Sequence, residues 1–446
     1  MADPIIGDGA HADDPALNAL LQRARALHPQ SIDLTLGRLE ALLDKLGNPH
    51  RALPPTFHVA GTNGKGSVCA FLRSALEAAG HSVHVYSSPH LVRFNERIRL
   101  NGALIGDDEL TALMTEIMAV NDGAPITFFE LTTAVAFTAF ARHPADALVL
   151  EVGLGGRFDA TNVVEKPLIC GISQISRDHE KFLGSEILTI AGEKAGIAKS
   201  GVPIVTARYP AAIAGKVGET AALAGAKLIP RGLDWDATFY KGQLHYRDKI
   251  GKLTLSAPRL PGAHQHDNAA IATAMLRHQS ALTMPESALR AGPGWARWPA
   301  RLQKLDSGPL VDLAPAESTV WLDGGHNPAA GRALADFLRR INKNDQPVHL
   351  ICGMIEGKDA REFLKPLAQR ATHLSAVPVS DHVTQTPDEL TAIASSLGLT
   401  ARPAASVRDA LQKMRPEETS SPAIILICGS LYLAGEVLKE NGPLPE

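Results

Sequence analysis

Thr56-Phe-His-Val-Ala60 leads into Gly61-Thr-Asn-Gly-Lys-Gly-Ser67, and a helical run from Val68 to Ala79 follows and stops at Gly80. A short apolar run bounded by glycine is the signature of a buried strand, so the segment predicts strand, loop and helix in succession. Glycines let the loop curl until successive N–H groups and the helix N-terminus converge on a phosphate. Lys65 then reaches the outer phosphates and Ser67 approaches a magnesium ion. The glycine spacing is shorter than in a standard Walker A loop, and Gly66 separates Lys65 from the hydroxyl residue. A tight turn carrying a surface lysine is the bland alternative, and the flanking strand and helix weigh against it.

Outward from this loop, further apolar runs recur at Ser82 to Tyr86, Ala147 to Glu151, Leu168 to Ile172 and Pro203 to Thr206, with longer helix-like stretches between them. Buried parallel strands and their crossover helices read this way, so the fold class is α/β. Ligands of open α/β sheets bind at the carboxyl ends of strands, which directs attention to the polar residues just past each run. Ala291-Gly-Pro-Gly-Trp-Ala-Arg-Trp-Pro-Ala300 suits a linker, and Val320 to Leu322, Val348 to Cys352 and Ala423 to Cys428 predict a second sheet beyond it, with a helix over Pro328 to Ile341. A length of 446 residues accommodates two such domains.

Composition excludes several classes. With 45% hydrophobic and 20% charged residues and a formal charge of -3, the chain has no electrostatic case for a nucleic-acid partner. No stretch reaches about 18 uninterrupted apolar residues, and the first fourteen lack both a basic start and an apolar core, so a membrane partner is not expected and a cytoplasmic location is. Cys69, Cys170, Cys352 and Cys428 are scattered without CxxC spacing, which predicts buried reduced thiols rather than disulfides or a zinc site.

Three polar clusters stand where chemistry is expected. In Glu151-Val-Gly-Leu-Gly-Gly-Arg157 a carboxylate ends an apolar strand and glycines open the chain for close approach. Glu151 suits magnesium, which keeps one or two carboxylates beside phosphates and water; a helix cap or a solvated Glu is the simpler alternative. Asp178-His179 follows the Leu168 to Ile172 run, although a single His is more often structural. Ser87-Ser88-Pro89-His90 adds oxygens after Tyr86, and Ser-Pro is also a turn signal. Their joint placement is what favours a site.

These residues belong to longer blocks: HVAGTNGKGSV at 58 to 68, YSSPHLVRFNERIRL at 86 to 100, EVGLGGRFDATN at 151 to 162, DHEKFLG at 178 to 184, EKAGIAK at 193 to 199 and DGGHNP at 323 to 328. In that order they resemble the folylpolyglutamate synthase and dihydrofolate synthase family of the Mur ligase superfamily, over almost the whole chain. The resemblance implies two domains: 1–296, ATP- and pterin-binding, P-loop ATPase-like with a mostly parallel sheet, and 297–446, a smaller Rossmann-like ligase domain. It implies an ATP-dependent ligase that adds L-glutamate to dihydropteroate and to the glutamyl tail of folates through an acyl phosphate. A monomer, ATP and one or two Mg²⁺ ions are further implications.

Carried over by position, the ATP loop falls on Gly61, Thr62, Asn63, Gly64, Lys65, Gly66 and Ser67, and the metal ligands on Ser88, Glu151 and His179. Lys65, Lys194 and His179 take catalytic roles, with Lys194 matching the lysine that the family carboxylates; as a residue alone it reads equally as a surface helix lysine. Asn268, Arg301, Asp323 and His326 match further nucleotide contacts on both sides of the linker. The family has glycine where this chain has Ala300. Asp33 and Leu34, Phe128, Phe129 and Glu130, and Phe158, Asp159 and Ala160 match pterin contacts, although Phe128 and Phe129 also open an apolar helical pattern that suits a core. A Mur ligase acting on a UDP-linked cell-wall precursor and a non-catalytic phosphate-loop module are the rival readings.

Overall fold

The computed structural model describes Ala12 and residues 14–27, 35–414 and 422–445. The chain divides into two compact units, one of Ala10–Arg259 with His264–Arg297 and the other of Leu260–Ala263 with Trp298–Pro445. Asp33 and Leu34 lie outside the described residues.

The first unit is built on strands β1 (Thr56–Ala60), β2 (Val83–Tyr86), β3 (Ile98–Leu100), β4 (Ala103–Leu104), β5 (Ala147–Glu151), β6 (Ile169–Ile172), β7 (Pro203–Thr206) and β8 (Lys227–Pro230). They form one sheet in the order β4-β3-β2-β5-β1-β6-β7-β8, parallel from β2 to β8, with β3 and β4 antiparallel at one edge. Every residue of β1, β2, β5 and β6 is buried, which is why each reads as an unbroken apolar run. One face packs on the helices Pro15–Ala26, Gly37–Lys45, Asp107–Asn121 and Phe128–Arg142, where Leu17, Leu42, Met114 and Phe137 join Tyr86 and Leu150. Farther along that same face lie Ile187–Ala195 and Ala211–Leu223, through Ile190 and Val217 on Cys170 and Ile204, because Tyr86, Leu150, His58, Cys170 and Ile204 share one row of the register. The opposite face carries Lys65–Ala78 and His264–His278, with Met275 against Gly171.

A small antiparallel sheet, β9 (Trp235–Tyr240), β10 (Gln243–Asp248) and β11 (Lys252–Leu255), was not anticipated. Lys241 and Gly242 both take positive φ, as a two-residue hairpin turn that follows strand twist demands. At its far end the buried Asp248 receives two 2.7 Å bonds from Arg277. That pair fastens the sheet to the C-terminal turn of the helix His264–His278, whose other end carries site residues.

The linker expectation over Ala291–Ala300 needs a correction, because the helix Glu286–Trp295 runs through Gly292, Pro293 and Gly294. A Cβ on Gly292 would stand 2.7 Å from that of Ala75, and Ser74 donates to the Gly292 carbonyl at 2.9 Å. The glycine therefore serves the contact with helix Lys65–Ala78, not chain flexibility.

The second unit carries β12 (Gln303–Leu305), β13 (Thr319–Leu322), β14 (Val348–Cys352), β15 (His373–Ala376), β16 (Thr400–Pro403) and β17 (Ile424–Cys428) in the order β12-β13-β17-β14-β15-β16, parallel except for the antiparallel edge strand β12. The helix Pro328–Ile341 lies where its periodicity predicts and buries Leu334, Phe337 and Leu338 on this sheet. The α/β class with two sheet-based parts agrees with the sequence reading. All four cysteines are buried free thiols, and among the described residues no helix is long and apolar enough to cross a membrane.

Candidate active site

Strands β2, β5, β1 and β6 are consecutive neighbours and run parallel, so the segments after Tyr86, Glu151, Ala60 and Ile172 emerge along one edge of the sheet. That edge is where an open α/β sheet presents ligand groups. It gathers Ser88, Glu151, the 61–67 loop and the segment reaching Asp178 and His179.

The loop is held from beneath. Thr62 donates from Oγ1 to the Ser176 carbonyl at 2.9 Å and accepts from Ser176 N at 3.0 Å, while its own N–H bonds Gln174 O at 2.7 Å. Ser173 Oγ donates to Asn63 O at 2.8 Å. Gly61 has φ +144, and a Cβ there would lie 1.9 Å from Ser173 Oγ; Gly64 has φ +89, with 2.4 Å to Asn268 Oδ1. Both glycines are thus required twice, by backbone conformation and by close approach. Helix Lys65–Ala78 starts directly after Gly64, leaving its first N–H groups and a partly buried Lys65 at the loop mouth.

Lys194, on the helix Ile187–Ala195, is buried and donates from Nζ to Gly61 O at 3.0 Å. Burial, reinforced by the neighbouring Lys65 charge, lowers its pKa from 10.5 to about 7, against the opposing pull of Asp178 and Asp159. Glu151 is buried at the end of β5, and Ser88 N approaches its Oε2 at 3.4 Å. Glu151 and Lys65 both act electrostatically on the Cys69 thiol, which burial raises well above its ordinary value, so the carboxylate and the loop lysine share one neighbourhood. His179 is exposed in left-handed backbone, with its N–H on Asp178 Oδ1 at 2.8 Å. Among the described residues no group of three or more His, Cys, Asp and Glu side chains is poised for a metal. One buried carboxylate beside a serine suits a hard cation that takes most of its oxygens from phosphate and water.

Asp159 is fully buried, which raises its carboxyl pKa. It accepts from Leu154 N at 2.8 Å, Thr161 N at 3.0 Å and Thr161 Oγ1 at 2.5 Å. Thr161 in turn receives a bond from His58 Nε2 at 2.8 Å, and burial lowers that imidazole to about 3, so it stays neutral. Phe129 lies partly buried against Tyr86 with ring centroids 6.0 Å apart, and Phe158 is 43% exposed. Phe128 belongs to the core, edge-on to Phe94. Glu130 caps its own helix by accepting from Thr127 N at 2.8 Å and takes Arg38 on both oxygens, at 3.0 and 3.1 Å. Ala160 is buried in the short turn that follows Asp159.

In the second unit, Asp323 follows β13 and its carboxylate accepts from Leu302 N at 2.8 Å and Gly325 N at 2.7 Å. The Arg301 guanidinium donates to Ala300 O at 3.0 Å, and His326 Nδ1 bonds Gly324 O at 2.9 Å. Arg301, Asp323 and His326 therefore share one cluster within this unit. Ala300 adopts φ +53, the left-handed conformation that a glycine at this position would hold without penalty.

A protein of Bacillus subtilis (strain 168) named dihydrofolate synthase/folylpolyglutamate synthase is 33% identical to this chain over 433 residues, covering 91% of this chain and 94% of the relative. The chain belongs to the dihydrofolate synthase/folylpolyglutamate synthase family. The family description "Dihydrofolate synthetase, C-terminal domain" matches residues 309–440. Escherichia coli FolC in complex with DHPP and ADP superposes with a TM-score of 0.84 at 33% identity, covering 95% of this chain and 97% of that one. A bifunctional synthase of this family with Mn, AMPPNP and L-glutamate bound gives 0.83 at 31% identity, over 95% and 97%.

Within this family member, the sequence reading missed Ser173 and Ser176, which brace the loop, and His58 and Thr161, which hold Asp159. It also missed Gln265, three residues before Asn268 on one helix face. That i, i+3 spacing was the available signal.

Proposed function

We propose that this chain is an ATP-dependent ligase that joins L-glutamate to dihydropteroate, and also to the glutamyl tail of folates, releasing ADP and phosphate. The observation that carries the reading is the glycine-rich loop of a synthase-family chain set beside Glu151, Ser88 and a buried Lys194 whose pKa is lowered to about 7, along one sheet edge.

A carboxylate does not acylate an amine in water, so the carboxyl group must first accept a phosphoryl group from ATP. The loop N–H groups and Lys65 take up charge on the phosphates; Ser67, whose position in the loop suggested magnesium, accepts from Gln265 and keeps its hydroxyl proton for a phosphate oxygen. Ser88, Glu151 and His179 would hold Mg²⁺, which supplies charge neutralisation on the transferred phosphoryl group. Lys194, with its pKa near 7, offers a neutral amine near neutral pH. Its nitrogen adds to CO₂ and loses a proton, giving a carbamate, so a cation becomes an anion beside the loop. Phe129, Phe158, Asp159 and Ala160 contact the pterin, with Glu130 and Phe128 shaping the wall behind them. Arg301, Asp323, His326 and Asn268 contact the nucleotide. The enzyme works as a cytoplasmic monomer.

The test is ADP release by the purified chain with ATP, Mg²⁺ and L-glutamate, offering dihydropteroate, tetrahydrofolate or a UDP-muramoyl peptide precursor. Glutamate-dependent release with both pterins is the expected result. Release with only one restricts the enzyme to a single step, and release with only the muramoyl compound overturns the reading in favour of cell-wall synthesis.

A further inference from the structure

Gln265 is fully buried at the start of helix His264–His278 and touches the phosphate loop from the side. Its Nε2 donates to Ser67 Oγ at 3.2 Å, and its Oε1 accepts from Asn268 Nδ2 at 2.9 Å. The other end of the Asn268 amide, Oδ1, lies against the α-carbon of Gly64, where even a methyl group would stand only 2.4 Å away. In this arrangement Asn268 donates with its amide nitrogen and Gln265 accepts with its amide oxygen, which leaves the Gln265 amide nitrogen facing Ser67. Nε2 has no acceptor capacity, so Ser67 Oγ must receive the bond. The hydroxyl proton of Ser67 is thereby turned away from Gln265 and is available to a phosphate oxygen.

We infer that Gln265 is a positioning residue for the phosphate loop, setting the direction of the Ser67 hydroxyl and tying it to Asn268. The chain Asn268 to Gln265 to Ser67 runs donor to acceptor in a single sense, and hydrogen bonds in one direction polarise one another in a buried setting. A better donor at Ser67 strengthens most as charge accumulates on the transferred phosphoryl group, so turnover gains more than ground-state binding. The helix bearing Gln265 is itself anchored, at its far end through Arg277 to Asp248 and near its start through Asp267 to Arg231 at 2.6 Å.

This inference rests on Ser67 belonging to the ATP loop, and the test separates the two ideas. Ser67→Ala, Gln265→Met and the double variant are assayed for glutamate-dependent ADP release, with kcat and KM for ATP determined separately and folding checked by urea denaturation. Ser67→Ala and Gln265→Met should each lower kcat by about tenfold to a hundredfold, with a much smaller change in KM for ATP. The double variant should be no slower than Ser67→Ala, because Gln265 acts only through that hydroxyl. Additive losses, or a Gln265→Met enzyme as fast as the wild type, overturn the role of Gln265. An unaffected Ser67→Ala enzyme instead overturns the loop assignment. Gln265→Leu also removes both amide bonds and adds no charge; it replaces Gln265→Met in the cycle should that variant not fold, with the same loss and the same non-additivity expected.

Discussion

Lys194 Nζ donates to the Gly61 carbonyl oxygen across 3.0 Å, joining a buried amine to the first residue of the 61–67 loop. Its pKa of about 7 in the folded chain lies below the ordinary 10.5, so between those values the unfolded chain binds more protons. Stability therefore rises with pH across that window; the penalty is absent above 10.5 and complete below 7. In CO₂-free buffer the group should contribute a slope of up to about 1.4 kcal/mol per pH unit. Lys194→Met should remove that slope, and urea unfolding of both proteins at several pH values in the window measures it. An unchanged slope in the variant would show that Lys194 is not the titrating group.

The same amine should carry CO₂. Incubation with ¹³C-bicarbonate near pH 8, where the amine is mostly neutral, is expected to give a carbamate carbon resonance. The signal should vanish in Lys194→Gln and weaken as the pH falls below 7 and the amine is protonated. A wild-type spectrum with no such resonance would remove the carbamate from the mechanism.

Lys65 sits partly exposed in the first turn of its helix, so its replacement tests charge rather than packing. Lys65→Ala should lower glutamate-dependent ADP release by about a hundredfold or more. The unfolding midpoint should stay within the narrow range expected for a surface substitution. Near-normal turnover would take Lys65 out of the phosphoryl-transfer step.

Much of this site was legible because it lies on residues whose neighbours in sequence are also their neighbours in space. Strands β1, β5, β7 and β14 agree with the runs read from sequence, since burial on both faces leaves an unbroken apolar string. The sheet β9–β11 escaped because its strands are half-exposed and mixed in character, as in Trp235-Asp-Ala-Thr-Phe-Tyr240, although Lys241-Gly242 was a turn signal. Gln265 escaped for another reason. Its partner Ser67 is 198 residues away, and no local pattern encodes which buried amide meets which hydroxyl. Glu130 carries a role that its motif position did not announce: both of its oxygens serve Arg38 and its own helix cap.

That double duty makes Glu130 a stability residue. Glu130→Ala deletes a capping box and strands Arg38 beside the core, so a loss of about 3 kcal/mol is expected. Glu130→Gln retains the cap geometry and should lose less. Chemical denaturation distinguishes these, and a Glu130→Ala protein as stable as the wild type would mean that the ion pair contributes nothing net.

Ala300 sets a balance of opposing effects. It is buried with φ +53 immediately before Arg301, and its N–H bonds Gln303 Oε1 at 3.0 Å. A left-handed alanine costs roughly 1–2 kcal/mol, which Ala300→Gly would relieve. Against this, removing a buried methyl group costs about 0.8 kcal/mol and glycine adds about 0.4–1 kcal/mol of unfolded-chain entropy. The terms nearly cancel, so Ala300→Gly should change stability by less than about 1 kcal/mol in either direction. Buried alanines in right-handed helix, such as Ala134, give up the same methyl group with no strain to relieve, and Ala134→Gly should cost about 1–2 kcal/mol. Urea unfolding of the two variants side by side decides the matter. Equal losses would mean that the left-handed backbone at Ala300 is not strained, and that the departure from glycine beside Arg301 carries no energetic consequence.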